Sequence, residues 1–373
     1  MKSYNHLYGK YLSDENYYAA VRNATKHKGG KKRKHQTARY YRDQEEELKP
    51  VIIRLARDFR NDKHTPILIY DGIRRKQRYI VVPTMREQII HHMVVNIMKP
   101  IFMQGMYEHS YGSIPDRGAH SAKKVVEKWI AKGGADCKYC LKMDIKKYFD
   151  SVPHDILKAK LAKIIHDRKF LAILFEIVDV TEVGIPIGFY TSQWFANWYL
   201  TELDHYIKEE LHAKYYIRYM DDMVIFGGNK RTLHEMQRKI EAYLRDRLGL
   251  EMKSNWQVFR FHFVKKNEKE IGRALDFMGF RFYRNRTVLR KQLMLKATRK
   301  ARRICKKRKN VHDCRQMLSY LGWIDCTNTY GMYKLWIKPF ISFGRLKKYV
   351  SIYQIRENRR LKELCGTNLK TAV

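Results

Sequence analysis

The segment YYIRYMDDMVIFGG, residues 215–228, restricts this chain more than any other stretch. Two apolar, β-rich arms flank two adjacent acids, Asp221 and Asp222, a pattern that reads as a hairpin turning at the acids. Neighbouring carboxylates repel each other, and holding them between apolar strands costs stability unless cations neutralise them. A second strand-like run, KYCLKMDI at 138–145, also ends in an acid, Asp144. With that strand beside the hairpin, Asp144 and Asp221 can clamp two divalent ions roughly 3.5–4 Å apart. Oxygen ligands of this kind suit magnesium, which takes carboxylates together with substrate phosphates. Asp-Asp is common in turns, so the full tetrapeptide Tyr219-Met220-Asp221-Asp222 carries more weight than the pair alone.

The remaining elements build a setting for this hairpin. Residues 66–83, PILIYDGIRRKQRYIVVP, read as a second hairpin with a turn at Asp71-Gly72 and positive charge near its tip. MREQIIHHMVVNIMKPIF (85–102) has helical periodicity and is expected to close at Pro100. Residues 157–178 read as helix, and so does TSQWFANWYLTELDHYIKEEL (191–211), with its apolar residues on one face. A further helix over 233–249 stops at Gly249, and LDFMGFRFYRN (275–285) returns to a β pattern. Residues 1–62 are basic and helical, with the charge run KHKGGKKRKHQTAR (26–39) and an amphipathic helix over 48–59. From Lys291 the chain is basic helix, and residues 315–373 form an aromatic, helical tail. The sum is an α+β arrangement, a small antiparallel sheet backed by helices.

The 373 residues suit two or three lobes sharing a core. Charge then points to the partner. Lys and Arg number 76 against 38 Asp and Glu, a formal net charge of +38. Such an excess repels itself in a compact state and calls for a polyanion, so nucleic acid is expected. No apolar stretch approaches the roughly 20 residues that span a bilayer, and the first residues lack the apolar run of a secretory signal. A cytoplasmic protein with no membrane partner is expected. Cys137 and Cys140 form a CxxC pair without a second pair to complete a zinc site, so they read as buried thiols. His91-His92 sit on a helix and read as structural, and in the tail Trp323, Tyr330, Tyr333 and Trp336 read as helical core sooner than as a stacking platform.

YMDD at 219–222 resembles the catalytic hairpin of reverse transcriptases, and the motif order over residues 65–285 is similar to that family. The resemblance implies a right-hand polymerase fold: a basic helical extension (1–62), fingers and palm (63–284), and a helical basic thumb (285–373). It implies RNA-directed DNA polymerase activity with two Mg2+ ions held by Asp144, Asp221 and Asp222. In RYIVVPTMREQII (78–90), Arg78 would meet the incoming triphosphate, with Lys76 beside it, and Arg86 would support the template or the fold. MDIKKYFDSVPHDIL (143–157) matches the first catalytic segment, with Phe149 where the family keeps an aromatic gate against the ribose 2′-hydroxyl. LGLEMKSNW (248–256) places Lys253 as candidate acid for pyrophosphate, and FMGFRFY (277–283) is similar to the primer grip.

One departure narrows the subfamily. Most reverse transcriptases carry Pro-Gln-Gly-x-x-x-Ser-Pro before the long palm helix. This chain carries Pro186-Ile187-Gly188-Phe189-Tyr190-Thr191-Ser192-Gln193. Ile187 and Gln193 together resemble the enzymes of diversity-generating retroelements in bacteria and phages. That likeness implies copying of a template-repeat RNA into cDNA, with misincorporation opposite adenine. Ile187 cannot donate the hydrogen bonds of a glutamine, so the nascent pair meets less discrimination beside Ile187 and Gly188. Implied partners are the template RNA and its RNA/cDNA hybrid, dNTPs, and a small basic accessory variability protein acting as an oligomer. The alternatives are a reverse transcriptase of group II intron, retron or defence type, and a non-catalytic RNA-binding scaffold.

Overall fold

The computed structural model of the chain describes residues 3–26, 33–71, 76–265, 267–306 and 310–368. Packing divides the chain into two units, Met1–Ala122 with Gly133–Phe259, and Lys123–Lys132 with Arg260–Val373.

In the first unit α1 (Leu7–Tyr11), α2 (Asp14–Thr25), α3 (Arg33–Asp43) and α4 (Glu45–Arg57) lead the chain. Tyr11, Tyr17, Ile52 and Ala56 bury their side chains in one core with Met93 and Val94 of α5 (Met85–Gln104). The N-terminal helices thus belong to the body that carries the acidic hairpin. Part of the expected basic run, residues 27–32, lies outside the described residues. The hairpin between α4 and α5 consists of β1 (Ile67–Asp71) and β2 (Lys76–Ile80), with Ile69 opposite Arg78. Its tip, 72–75, also lies outside the described residues.

Thr84 and Glu87 cap α5 reciprocally. The helix does not close at Pro100 as its sequence suggests but runs on to Gln104. Proline removes one backbone donor, yet Ile101 and Phe102 beyond it are buried in the core, which holds the last turn in place.

Next come β3 (Ser110–Tyr111), α6 (Ala119–Lys132), β4 (Tyr139–Asp144) and α7 (Tyr148–Ser151). The single helix expected over 157–178 is two, α8 (His154–Ile164) and α9 (Arg168–Val178). The break is made from afar: His166 N donates to Tyr4 O at 2.9 Å and Tyr8 N to Asp167 Oδ2 at 2.8 Å. Asp167 also caps α9. The helix expected over 191–211 is likewise divided, into α10 (Tyr190–Tyr199), α11 (Thr201–His205) and a π-helical turn, Tyr206–Glu210. Past the break at Leu200, Asp204 is buried against Arg218, a partner that periodicity does not reveal.

The acidic hairpin is β5 (Tyr215–Tyr219) and β6 (Asp222–Gly227). It sits within a five-stranded sheet ordered β3-β5-β6-β4-β7, where β7 is Gln257–Arg260. The sheet is mixed because β3 runs parallel to β5, with Ser110 opposite Arg218. Against it α12 (Lys230–Leu248) buries Ile240 and Leu244 and stops at Gly249, whose φ of 58° is the left-handed conformation glycine accepts.

The second unit takes Lys123–Lys132 of α6 together with the pair β8 (Phe263–Val264) and β9 (Glu270–Ile271). A three-stranded antiparallel sheet follows: β10 (Leu275–Phe277), β11 (Phe280–Phe282) and β12 (Thr287–Leu289). Among the described residues it is completed by α13 (Lys291–Lys306), α14 (Val311–Asp325), α15 (Tyr330–Trp336) and α16 (Phe343–Asn368). Trp323 stacks on Phe280 at 4.9 Å, as the core reading expects, whereas Tyr330 and Trp336 are exposed. No described helix is long and apolar enough to cross a membrane.

Candidate active site

The arms of the hairpin are apolar because they are interior: Leu141 and Met143 of β4 and Met223, Val224 and Ile225 of β6 are almost wholly buried. The strands run antiparallel from Tyr139 opposite Gly227 to Asp144 opposite Asp222. Directly opposed residues on paired strands point to one face. Both acids therefore emerge at one end of the sheet. Tyr219 also faces Asp222 across β5–β6, which leaves Met220 and Asp221 as a two-residue turn. Met220 takes φ 53° without being glycine, a strain of about 1–3 kcal/mol that persists only where surroundings over-determine it.

Charge at this end is unbalanced. Burial first, then the charge of Asp144, pushes the Asp221 carboxyl up to about 7. Asp144 Oδ2 takes the Lys253 ammonium, and Lys253 N donates to Asp144 O at 2.8 Å. The other oxygen, Asp144 Oδ1, is buried with no hydrogen-bond partner. Lys142 Nζ stands 3.8 Å from Asp222 Oδ1. Among the described residues no three His, Cys, Asp or Glu side chains close into a metal cage by themselves. The carboxylates do fit a hard cation whose remaining ligands come from elsewhere, since magnesium commonly binds one or two carboxylates and completes its shell with water and phosphate.

A second group of residues expected near the nucleotide is joined through the backbone. Val81, just past β2, donates its N–H to Ile187 O at 2.8 Å. Gly188 follows at φ 124°, where an added Cβ would meet Val81 O at 2.1 Å, so only glycine fits. Ile185 N donates to Phe149 O at 2.7 Å, tying α7 to the same loop. Phe149 and Ile187 are half-buried. Arg78 lies on the strand leading to Val81, whereas the side chain of Lys76 lies outside the described residues. Gln193 sits on α10, its carbonyl accepting from Asn197 Nδ2 at 3.1 Å. Arg86 pairs with Asp62, its Nη2 and Nε lying 2.6 and 3.2 Å from the two carboxylate oxygens. His91 is buried against Phe189 and Thr191, and burial lowers it to about 3. Cys137 and Cys140 are both buried.

Sequence reasoning missed Arg218, Asp204, Asn197 and Ser110, all buried beneath the turn. One signal was present. Arg218 interrupts an apolar strand, and a charge buried there needs a partner.

The model of the family described as "Reverse transcriptase (RNA-dependent DNA polymerase)" matches residues 62–281, more than half of the chain. Protein YkfC of Escherichia coli K12 is 23% identical over 255 residues, covering 57% of this chain and 65% of that one. Group II intron-encoded protein LtrA of Lactococcus lactis is 28% identical over 143 residues, 36% of this chain and 23% of LtrA. The Retron Ec73 reverse transcriptase of Escherichia coli is 26% identical over 140 residues, 33% of this chain and 43% of that enzyme. The chain thus spans less than two thirds of each of these relatives. Among solved structures, a Candida tropicalis telomerase in complex with a telomeric RNA fragment aligns at 14% identity and TM-score 0.47, over 86% of this chain and 58% of that one.

Proposed function

Because the chain belongs to the reverse transcriptase family and has its fold, we propose that it is an RNA-directed DNA polymerase whose active site is the acidic end of the five-stranded sheet. The observation that carries this reading is the register that sets Asp144 against Asp222 beside the Asp221 turn. Asp144, Asp221 and Asp222 would hold two magnesium ions, which supply Lewis-acid activation of the primer 3′-hydroxyl and stabilise the departing pyrophosphate. Lys253, paired with Asp144, would give a proton to that pyrophosphate from Nζ. Arg78 and Lys76 would contact the triphosphate, and Phe149 would exclude the ribose 2′-hydroxyl. The thumb is assigned to residues 285–373 and the basic extension to 1–62, both gripping template RNA or the RNA/cDNA hybrid through their positive charge.

Within the family we assign the chain to the diversity-generating retroelement type, on the pair Ile187 and Gln193 and on the fixing of Ile187 by Val81. Its substrates would be a template-repeat RNA and dNTPs, with a small basic variability protein as partner, in the cytoplasm of a bacterial or phage-infected cell. Relatives named for a group II intron and a retron support the alternative of another bacterial lineage.

Primer extension with purified protein, RNA template, Mg2+ and dNTPs tests both levels. Extension should occur and be lost in Asp221→Asn, and errors should concentrate opposite template adenine and fall in Ile187→Gln. Absence of extension by the wild type sinks the polymerase reading. Errors spread evenly over the four template bases sink only the retroelement assignment.

A further inference from the structure

Beneath the acidic turn two charged side chains are wholly removed from solvent, Arg218 on β5 and Asp204 on α11. The guanidinium forks onto the carboxylate, with Nε 2.8 Å from Oδ1 and Nη2 2.5 Å from Oδ2. Asp204 also accepts from the Tyr216 hydroxyl at 2.7 Å and the Ser110 hydroxyl at 2.9 Å. Arg218 has donors beyond the fork. Nη2 reaches Asn197 O at 3.2 Å, and Nη1 reaches Met220 O at 3.0 Å. That last bond ends on the residue immediately before Asp221.

Met220 is the strained residue of the turn, and each of its polar atoms is tied to a different element. Its N–H donates to Tyr111 O on β3 at 2.9 Å, and its carbonyl accepts from Arg218 on β5. Its Sδ accepts from Asn197 Nδ2 on α10 at 3.2 Å. Gly112 leaves room for the side chain, since a Cβ there would come within 2.8 Å of Met220 Cγ.

A buried ion pair adds little stability over apolar residues of equal volume. Its value here lies in direction, because a planar guanidinium can grip a carboxylate and a carbonyl at fixed angles where an ammonium cannot. We propose that Arg218 and Asp204 form a positioning pair that fixes the Met220 carbonyl and thereby aims the Asp221 carboxylate at a divalent cation. The proposal rests on Asp221 being a cation ligand, and it adds two residues that touch neither cation nor substrate.

The test uses Mn2+ as probe, read by the electron spin resonance of the free ion with purified full-length protein, so binding is measured without polymerisation. Arg218→Met alone should melt well below wild type, because it strands Asp204 as a buried unpaired charge. The double variant Asp204→Asn with Arg218→Met should recover most of that melting temperature while binding Mn2+ about tenfold more weakly, the usual scale for groups that orient a metal ligand. Arg218→Lys keeps the charge but not the fork. It should melt between wild type and Arg218→Met and show the same direction of Mn2+ weakening. Wild-type Mn2+ affinity in whichever of these two variants folds overturns the proposal, as does wild-type protein that binds no Mn2+ through Asp221. If the weakening appears while wild-type protein extends no primer, the positioning pair stands and the polymerase reading falls.

Discussion

Asp221 shows how one residue type takes its chemistry from its surroundings. On an exposed turn its carboxyl would ionise in the ordinary acid range, but burial and the neighbouring Asp144 raise it to about 7. The stability consequence has a definite sign. A folded-state value above the unfolded one means the native protein holds the proton more tightly. The associated stabilisation is complete below about 4 and is lost as pH rises through about 7. In chelator, wild-type protein should therefore lose melting temperature between pH 5 and pH 8 relative to Asp221→Asn, which carries no charge to expel. Parallel melting curves for the two proteins across that window would refute this. Mg2+ added at pH 8 should restore the wild type and leave the variant unmoved, since a ligand stabilises only the state that binds it. The adjacency of the two aspartates was legible in the sequence, whereas the proton affinity of one of them depends on Asp144, 77 positions earlier (221 − 144).

At the scale of elements, the loop through residues 184–188 joins parts that are distant in the chain. It is bonded on one side to Phe149 on α7 and on the other to Val81, next to the β1–β2 hairpin. Gly188 permits the second bond because any Cβ would collide with the Val81 carbonyl. Gly188→Ala is expected to break that tie: the melting temperature should fall by several degrees, in keeping with a backbone effect of about 1–3 kcal/mol. Half-saturation by dNTP should rise, because Ile187 and the Arg78 strand lose their fixed spacing. An Ala variant with wild-type melting and wild-type nucleotide affinity would show that the loop is not a strut. The helix ends illustrate the reach of local rules. Gly249 ended α12 where it was expected, since a left-handed C-terminal residue is a local property. The breaks at 165–167 and at Leu200 were not legible, because Tyr4, Tyr8 and Arg218 impose or occupy them from far along the chain.

For the whole molecule, charge outweighs every other feature. A net +38 must be met by counterions or by a polyanion, and phosphate contacts release counterions. Binding to a structured RNA should thus weaken by about a thousandfold between 50 and 200 mM salt. A loss of less than about tenfold over that range would mean that the basic surface is not the RNA grip. Composition alone carries the expectation of a polyanionic partner, and the spacing of apolar and acidic residues determined the acidic hairpin and the strand that ends at Asp144. Those properties depend on neighbours a few positions apart, so they survive in a linear reading. Tertiary structure alone decided that Asp144 stands opposite Asp222, that Gly188 lies against Val81, and that Arg218 finds Asp204 and the Met220 carbonyl. Register and burial are set by packing across the whole core, and a buried charge names no partner until the chain has folded around it.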